Sequence, residues 1–419
     1  MNRLSTTSTQ LAPVIAGYAD RFHAAAGDQQ HVASPLCAWM LLAICGRAVM
    51  GRDREILEAA LGMDPAKAGR AAARLIDAPH PAFLAAFAVW TKPMNATSAF
   101  KNFLTELPVS TDRGPVPTRA QANEWMHRVS KGLIVSFHGN VDPPPDVLLA
   151  SAIASRVKWA EPFQMVPAAQ LGPRSPWAAK VKNVLKAPSS ASVSHTQGIV
   201  STRHAGDVAM HSALSRDGLL VTSVIAAPDV PAGAVLAAAH EIAHAHASRM
   251  LVTRSLYEMP TGDGHSWTIL ERQITTNAED PNPEFFTAIL PQWEAYGDHP
   301  LDKGKLGFDL AASSLAQCIG LPTAKVVAMQ SATARYARLG FETGAAATAL
   351  VFGSTAAAPG RKTKVREAIL RFGHPYAVVA SVSDMPQWDM EQHKMIGTRP
   401  WTGLPVFSAW ITEPHEVTG

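Results

Sequence analysis

The fold predicted for this chain depends on residues 339–372, which read LGFETGAAATALVFGSTAAAPGRKTKVREAILRF. A glutamate at position 342 precedes a run of small and β-branched residues, and four basic residues then fall within positions 361–366. Alanine is the best helix former, so the run 344–350 taken alone favours an ordinary helix. The same small residues also suit an extended segment, and only the rest of the chain distinguishes the two.

The composition is that of a folded protein with a sizeable core. Of the 419 residues, 47% are hydrophobic and 17% are charged, which gives little sign of disorder. The net charge of +3 is small for this length. No run of Lys and Arg is interleaved with aromatic residues, as a protein that binds single-stranded nucleic acid would require. We therefore expect no nucleic-acid partner.

The cysteines and the N-terminus bear on the cellular compartment. Cys37, Cys45 and Cys318 are too few for a disulfide framework, and Cys37 and Cys45 share an apolar segment in which we expect them to be buried. The N-terminal residues contain no sustained apolar stretch typical of a secretory signal. The longest apolar run, residues 38–45, is too short to cross a bilayer. These features predict a cytoplasmic protein with no membrane partner.

Helix signals dominate the beginning of the chain and strand signals its later part. Ser34 followed by Pro35 is typical of a helix start, and Gly62 is typical of a helix end. Three later segments have the composition of strands, and the last two are predicted to form a hairpin pair with a long connection. These segments are residues 219–229, 375–383 and 404–412. Helices early and strands late indicate an α+β fold.

One motif points to metal chemistry. The run HEIAH fits the pattern in which His240 and His244 share a helix face and hold Zn²⁺, with Glu241 as the general base. A catalytic site needs a third protein ligand, and the sequence has no downstream extension of the motif that supplies one. We interpret the motif as an incidental histidine-rich helix and expect no metal or cofactor. A zinc-dependent hydrolase remains an alternative.

Seven segments spread over residues 31–414 carry motifs that occur together in one protein family. The segments are HVASPLCAW (31–39), GRAVMGRDREILEAALG (46–62), NEWMHRVSKGLI (123–134), LLASAIASRVKWAEPF (148–163), SVIAAPD (223–229), AILPQWEAYGDHPLDKGKLGF (288–308) and VFSAWITEP (406–414). In this order they resemble the serpins, over about residues 30–414. Ser151 replaces the family's usual asparagine, and GHPY (373–376) replaces the usual NRPF. The chain is identified as a divergent member, expected to be bacterial.

The resemblance implies an architecture and an activity. It implies one serpin-like domain over residues 1–419, with mixed β-sheets, a helical N-terminal half and an exposed reactive-centre loop at about 344–372. A target serine or cysteine endopeptidase would cut this loop, which would then insert as an extra strand into the central sheet and trap the protease. Such a protein is a protease inhibitor, not an enzyme, and has no catalytic residue of its own.

Three further expectations follow from the resemblance. Trp159 is expected to pack in the breach, near the top of the central sheet. A non-inhibitory serpin-fold binding protein is an alternative to an inhibitor. Many serpins are extracellular, so an extracellular location is an alternative to a cytoplasmic one.

The small residues of the opening segment acquire a role in this interpretation. A strand that must leave water and enter a sheet cannot carry charged side chains, because their desolvation is costly. Gly344 adopts a wide range of backbone angles and suits the point where the chain changes direction. We expect the hinge to comprise Glu342, Gly344, Ala345, Ala346, Ala347, Thr348 and Ala349.

The basic cluster RKTKVR is expected to form the exposed tip of the same loop. A lysine or arginine before the cleaved bond suits a trypsin-like protease, whose specificity pocket carries an acidic residue. We therefore expect a trypsin-like target. The candidates for the reactive bond are Arg361, Lys362, Lys364, Val365 and Arg366.

Overall fold

The computed structural model describes most of the chain. The described residues are 6–49, 51–92, 97–139, 141–155, 157–188, 192–276, 282–302, 305–321, 324–340, 361–383, 388–389, 394–395 and 400–416. The helices among them are α1 (Thr6–Ala26), α2 (Pro35–Cys45), α3 (Asp53–Leu61), α4 (Pro65–Ile76), α5 (Ser98–Glu106), α6 (Arg119–Val129), α7 (Ala232–Ala247) and α8 (Phe308–Ile319). None of these helices is long and apolar enough to cross a membrane.

The strands alternate with the helices in the first half and dominate the second. They are β1 (His31–Ala33), β2 (Leu84–Thr91), β3 (Thr111–Pro115), β4 (Val147–Ala154), β5 (Gln164–Pro167), β6 (Asn183–Lys186), β7 (His195–Thr202), β8 (Gly206–Leu214), β9 (Leu219–Ile225), β10 (Gly262–Asp263), β11 (Trp267–Thr276), β12 (Glu284–Leu290), β13 (Trp293–Pro300), β14 (Val326–Tyr336), β15 (Arg361–Arg371), β16 (Tyr376–Val382), β17 (Trp388–Asp389), β18 (Lys394–Met395) and β19 (Pro405–Ile411).

Short-range sequence signals set several helix boundaries. The Ser34 hydroxyl accepts a hydrogen bond from the backbone N–H of Cys37 at 3.1 Å, and Pro35 occupies the first helical position of α2. Helix α3 ends at Gly62, which has a φ of 70° and so adopts the left-handed conformation that glycine accommodates without strain. Both predicted boundaries are confirmed. Every residue of α2 is buried, including Cys37 and Cys45, as expected.

The strands form three large sheets. The central sheet has the strand order β13-β14-β4-β2-β3, the buried sheet has the order β1-β19-β16-β9-β8-β7, and the outer sheet has the order β10-β11-β15-β12-β6-β5. Strands β16 and β19 pair antiparallel, which confirms the predicted hairpin, and β9 matches the strand predicted over residues 219–229. The fold is α+β with mixed sheets, as predicted.

The buried sheet lies at the centre of the core. Strands β9, β16 and β19 are buried along their whole lengths. The apolar face of α7 covers part of this sheet through residues such as Val235, Leu236 and Ile242. Burying a side chain of this size contributes on the order of 1.5–3 kcal/mol. The sheet therefore fixes α7, and with it the HEIAH motif, against the core.

Candidate functional site

The candidate site is built around two parallel strands in the middle of the central sheet. Strands β4 and β14 pair over eight positions, from Val147 opposite Val326 to Ala154 opposite Thr333. Strand β13 continues the sheet on the far side of β14, and β2 continues it beyond β4. Strands β4 and β14 are thus direct neighbours, with sheet on both sides of the pair.

Both faces of β4 are covered. Val147, Leu149 and Ile153 belong to the main hydrophobic core. The alternate residues, such as Leu148 and Ala150, belong to a second cluster on the opposite face of the sheet. That second cluster also contains Trp125 of α6. Every residue of β4 is buried as a result, and so are residues 328–332 in the middle of β14.

Gln330 joins the middle of this pair to α2. Its side-chain carbonyl accepts a hydrogen bond from the Ser34 backbone N–H, and its side-chain amide donates to the Ser34 carbonyl, both at 2.8 Å. The Ser34 hydroxyl in turn donates to the carbonyl of Val406 in β19 at 2.6 Å. Gln330 lies directly opposite Ser151 in the parallel register. One side chain therefore ties the central pair, α2 and the buried sheet together.

Trp159 lies beyond the C-terminal end of β14. It is 1% exposed, and its indole N–H donates to the carbonyl of Ala337 at 2.9 Å. The backbone N–H of Trp159 donates to the carbonyl of Leu339 at 3.1 Å, and its ring packs against Phe163 and Tyr336. Trp159 thus holds the chain that follows β14.

Gly340, where the described chain stops after β14, lies too close to the neighbouring backbone for any side chain. A Cβ at this position would come within 2.0 Å of the Val157 carbonyl oxygen, and φ is 142°. Glycine accommodates both the contact and the dihedral angle. The position of Gly340 is therefore set by a backbone-to-backbone approach beside Trp159.

A pair of buried histidines lies behind Trp159. Nδ1 of His195 lies 3.0 Å from Nε2 of His211, and Nε2 of His195 lies 2.8 Å from the carbonyl oxygen of Glu161. The His195 ring also packs edge-on against Phe163, which contacts Trp159. Burial lowers the pKa of both histidines, since a charged imidazole would lose its hydration there. Both rings are neutral at pH 7.

The predicted hinge lies outside the described residues. Glu342 and residues 344–349 fall between Gly340, which follows β14, and Arg361, where β15 begins in the outer sheet. The twenty residues 341–360 therefore connect the central sheet to the outer sheet.

The prediction that residues 361–371 form part of an exposed loop is wrong. They form β15, which pairs antiparallel with β11 and parallel with β12. The reactive-bond candidates Arg361, Lys362, Lys364, Val365 and Arg366 all lie within the β11 ladder. Val365 is fully buried, and its two neighbours, Lys364 and Arg366, form ion pairs with Glu271 on β11 at 2.9 and 3.3 Å.

Arg366 illustrates the role that these charges have instead. Its Nη1 donates to the carbonyl oxygens of Leu256 and Met259 at 2.5 and 2.8 Å, and its guanidinium lies over the ring of Tyr257. Arg366, a candidate for protease recognition in the sequence, thus binds and stabilises the 3₁₀ turn Leu256–Glu258. The signal that was missed is the period-two alternation at the end of the segment, where Ala368 and Leu370 are buried and the residues between and after them, Ile369 and Arg371, are partly exposed.

The HEIAH residues share a pocket but do not assemble a metal site. His240, Glu241 and His244 lie on α7 and line a cavity of about 350 Å³ together with Asp20 and other residues of α1. Glu241 forms a 3.7 Å ion pair with Arg203. Across the described part of the chain, no group of three or more His, Cys, Asp or Glu side chains is arranged to hold a metal ion. The zinc alternative lacks the third ligand that it requires.

His240 and His244, which line this cavity, each have one buried nitrogen that is unsatisfied within the described structure. Neither Nε2 of His240 nor Nδ1 of His244 has a hydrogen-bond partner within the described structure. Burial lowers the pKa of His240 to about 4, so its ring is neutral at pH 7. A neutral imidazole nitrogen beside an apolar wall is suited to a polar group on a bound molecule.

Comparisons with known proteins identify the architecture. No family model and no curated protein matches the sequence. Among solved structures, human thyroxine-binding globulin complexed with thyroxine matches with a TM-score of 0.64 at 12% identity, covering 98% of this chain and 100% of that one. Human glycosylated kallistatin matches with 0.63 at 13% identity (99% and 100% coverage), and the thermophilic serpin Tengpin with 0.62 at 10% identity (99% and 95%).

These matches span nearly the whole length of this chain and of each matched protein. They do not bear on the expected bacterial origin, which stays a prediction. The resemblance inferred from seven short motifs is confirmed at the level of architecture: this chain has the serpin fold.

Proposed function

We propose that this protein is a suicide inhibitor of a serine or cysteine endopeptidase, which supplies the nucleophile. The observation that carries the proposal is the parallel pairing of β4 and β14 in the middle of the central sheet. The small-residue segment 341–360 follows β14 with only Ala337–Gly340 between them. In this mechanism the protease cuts within 341–360, and the N-terminal part of the cut segment inserts between the two strands.

Insertion of a strand would release enough free energy to distort an attached protease. One inserted strand replaces the single β4–β14 ladder by two ladders. If about ten hydrogen bonds are gained at a net of about 0.5–1.5 kcal/mol each, the step releases on the order of 5–15 kcal/mol. This is comparable to the whole stability of a small domain, roughly 5–15 kcal/mol. Distortion of a protease attached to the moving segment is within that range.

The composition of the segment matches the environment it would enter. Because β4 and the middle of β14 are buried on both faces, a charged side chain on a strand inserted between them would lose its hydration at a high cost in free energy. Residues 343–360 contain no charged side chain. We propose that Glu342 and residues 344–349 form the hinge and the leading part of the inserted strand.

The position of the basic cluster changes the proposed target. Residues 341–360 contain neither Lys nor Arg, and residues 361–366 are part of the β15 ladder. A trypsin-like target is therefore replaced by a protease that cleaves after an apolar residue. The segment offers two apolar clusters for this role, residues 350–352 (LVF) and 356–358 (AAA).

A protease panel tests the proposal. The protein is incubated with an elastase-like, a chymotrypsin-like and a trypsin-like protease, and a denaturing gel then detects a covalent complex. We expect a complex with one of the first two and none when the catalytic serine of that protease is replaced. Clean cleavage within 341–360 by all three classes, with no complex from any of them, would remove the inhibitory function.

The cavity beside α7 supports a second candidate function, binding of a small amphipathic molecule. Its volume of about 350 Å³ falls in the range of ligand pockets, and its lining combines Ala12, Ala16 and Ala237 with the polar side chains of His240 and His244. The matched structures include thyroxine-binding globulin in complex with thyroxine. Non-inhibitory binding is therefore the alternative that we retain.

A pocket-filling substitution tests this second candidate. Ala16 is half-buried at the cavity wall, so Ala16→Trp should occupy the space while leaving the core intact. We expect thyroxine, used as an aromatic probe, to bind the wild type measurably and the variant at least tenfold more weakly. Equal binding of thyroxine to both proteins would exclude the cavity as a ligand site. The same conclusion would follow if the wild type bound neither thyroxine nor a second amphipathic probe such as a fatty acid.

A further inference from the structure

A second, smaller cavity lies where three separate segments meet at the end of β15. Residues 171–175, residues 263–268 and residues 371–374 line a space of about 110 Å³. Its distinguishing feature is a pair of guanidinium groups from different segments, those of Arg174 and Arg371. A water molecule occupies about 30 Å³ of liquid, so the cavity has room for a group of a few heavy atoms.

Arg371 is held rigidly and keeps one donor free. The strand ladder places it opposite Ile289, its backbone N–H donates to the Ser266 carbonyl at 2.8 Å, and its Nη1 donates to the Thr268 hydroxyl at 2.6 Å. Its Nε is buried and has no hydrogen-bond partner within the described structure. An unsatisfied buried N–H of a charged group is costly, so Arg371 is a cation whose hydrogen-bonding capacity is incompletely used within the described structure.

The backbone of Gly172 makes room for this side chain. Gly172 has a φ of 88°, and a Cβ built there would lie 3.2 Å from Cδ and 3.3 Å from Nε of Arg371. A larger residue would therefore be strained and would crowd the free donor. The loop that follows the 3₁₀ turn Ala168–Leu171 is thus shaped around the guanidinium of Arg371.

Arg174 adds a second cation with most of its donors free. Its Nη2 donates to the Gly264 carbonyl at 2.9 Å and lies 3.8 Å from Asp263, the one acidic side chain among the residues that line the cavity. A guanidinium has five N–H donors. Burial is the main cause that lowers the pKa of Arg371; the carboxylate of Asp263 raises this pKa and the guanidinium of Arg174 lowers it. The effect of Arg174 means that the two guanidinium groups are near enough to repel each other.

The remaining polar groups of the cavity satisfy one another. The Ser266 hydroxyl lies 3.1 Å from Nδ1 of His265 and 3.3 Å from Nε2 of His374, and Nε2 of His265 lies 3.0 Å from the carbonyl oxygen of Asp207. Burial lowers the pKa of both histidines. At pH 7 the fixed charges of the cavity are therefore two guanidinium groups against one carboxylate.

We propose that this cavity binds a small oxyanion, held between the guanidinium groups of Arg174 and Arg371. Phosphate, sulfate and a lone carboxylate share the required chemistry: planar or tetrahedral oxygens that accept paired N–H donors, with negative charge to offset the excess cation. The bound anion links the three segments and so fastens the C-terminal end of β15. The site is independent of the inhibitory function proposed above.

Thermal unfolding in phosphate tests the proposal. The melting temperature is measured against phosphate concentration, with sodium chloride used to hold the ionic strength constant. Binding to the folded state alone predicts a saturable rise. Sulfate and acetate are titrated in the same way. A rise with the two tetrahedral anions alone identifies free phosphate or sulfate as the source, and a rise with acetate as well identifies a carboxylate-compatible site.

The variants isolate the cavity from the general surface. Arg174→Gln should raise the phosphate concentration at the midpoint of the titration tenfold or more. The variant should still fold, because the Arg174 side chain is 66% exposed. Arg128→Gln is the matched control, because Arg128 is 67% exposed and lies 3.5 Å from Asp112, outside the cavity. Asp263→Asn should lower the phosphate concentration at the midpoint severalfold, because it removes the carboxylate that competes with the anion for Arg174. The proposal would be overturned if Arg174→Gln and Arg128→Gln had the same phosphate midpoint. It would also be overturned if phosphate raised the melting temperature of the wild type no more than chloride does at the same ionic strength.

Discussion

The side chain of Gln330 makes two hydrogen bonds to the backbone of Ser34, one to its N–H and one to its carbonyl, each at 2.8 Å. These bonds attach the midpoint of β14 to the first turn of α2. The residue of β4 opposite Gln330 is Ser151, whose buried hydroxyl has no hydrogen-bond partner in the described structure, so β4 has no such attachment at this point. Separation of β4 and β14 is therefore easier if β4 moves and β14 stays attached to α2.

Replacement of Gln330 should destabilise the protein strongly. Gln330→Ala leaves the buried Ser34 N–H without a partner, which costs about 1–3 kcal/mol, and adds a cavity in the core. We expect the free energy of unfolding, measured in urea, to fall by about 2–4 kcal/mol. Gln273→Ala, on the exposed part of β11, is the matched control and should change it by less than about 0.5 kcal/mol. Similar losses in the two variants would contradict this role.

A charge introduced into the hinge should convert the inhibitor into a substrate. Because both faces of β4 are buried, Ala346→Glu and Ala347→Glu should each prevent insertion, whichever face each residue would occupy. The expected result on a denaturing gel is continued cleavage with the covalent complex reduced tenfold or more. Val109→Glu adds the same charge at a residue that is 90% exposed and should leave trapping unchanged. Full trapping by either hinge variant would argue against insertion beside β4.

Trypsin should leave β15 intact in the folded protein. Proteases bind an extended segment that is free of other partners, whereas residues 361–370 pair with β11 and residues 366–371 also pair with β12. Mass spectrometry after limited digestion should find no fragment that begins at Lys362, Thr363, Val365 or Glu367. The same bonds should be cut rapidly in urea, which serves as the control. Early cleavage there in the folded protein would show that β15 detaches readily from the outer sheet.

Acid should destabilise the protein through its buried histidines. Burial lowers the pKa of His23, His240 and His246 below the unfolded value of about 6.5, to about 4 for the latter two. The unfolded chain therefore binds more protons than the folded one between pH 6.5 and 4, and stability is lost as the pH falls through this range. The melting temperature should be nearly constant above pH 7 and should decrease steeply below pH 6.5.

A single substitution separates this effect from general acid denaturation. His240→Leu removes one titrating group at nearly constant volume, so the melting temperature should depend less steeply on pH between 6.5 and 4. His127→Asn, at an exposed residue of α6, is the control and should keep the slope of the wild type. An unchanged slope in His240→Leu would assign the acid sensitivity to other groups.

Local patterns were sufficient for the elements whose signals lie within a few residues. The Ser34 cap, the Gly62 stop and the buried strands β9, β16 and β19 depend on neighbouring side chains or on a single apolar run, and each was predicted. The order of short family motifs predicted the serpin fold in the same way. The cap, the stop and the strands require only information that is contiguous in the sequence, whereas the fold prediction also requires the order of the motifs along the chain.

Only the tertiary structure decided the state of residues 361–371 and the arrangement at the centre of the molecule. Four basic residues in six positions resemble an exposed loop until Glu271 and Tyr257, about a hundred positions earlier in the chain, are brought beside Lys364 and Arg366. The parallel pairing of Val147 with Val326 and the approach of Arg174 to Arg371 likewise join distant segments. Whether a charged segment is a loop or a strand is set by the free energy of pairing with such partners, and that free energy is not contained in the segment itself.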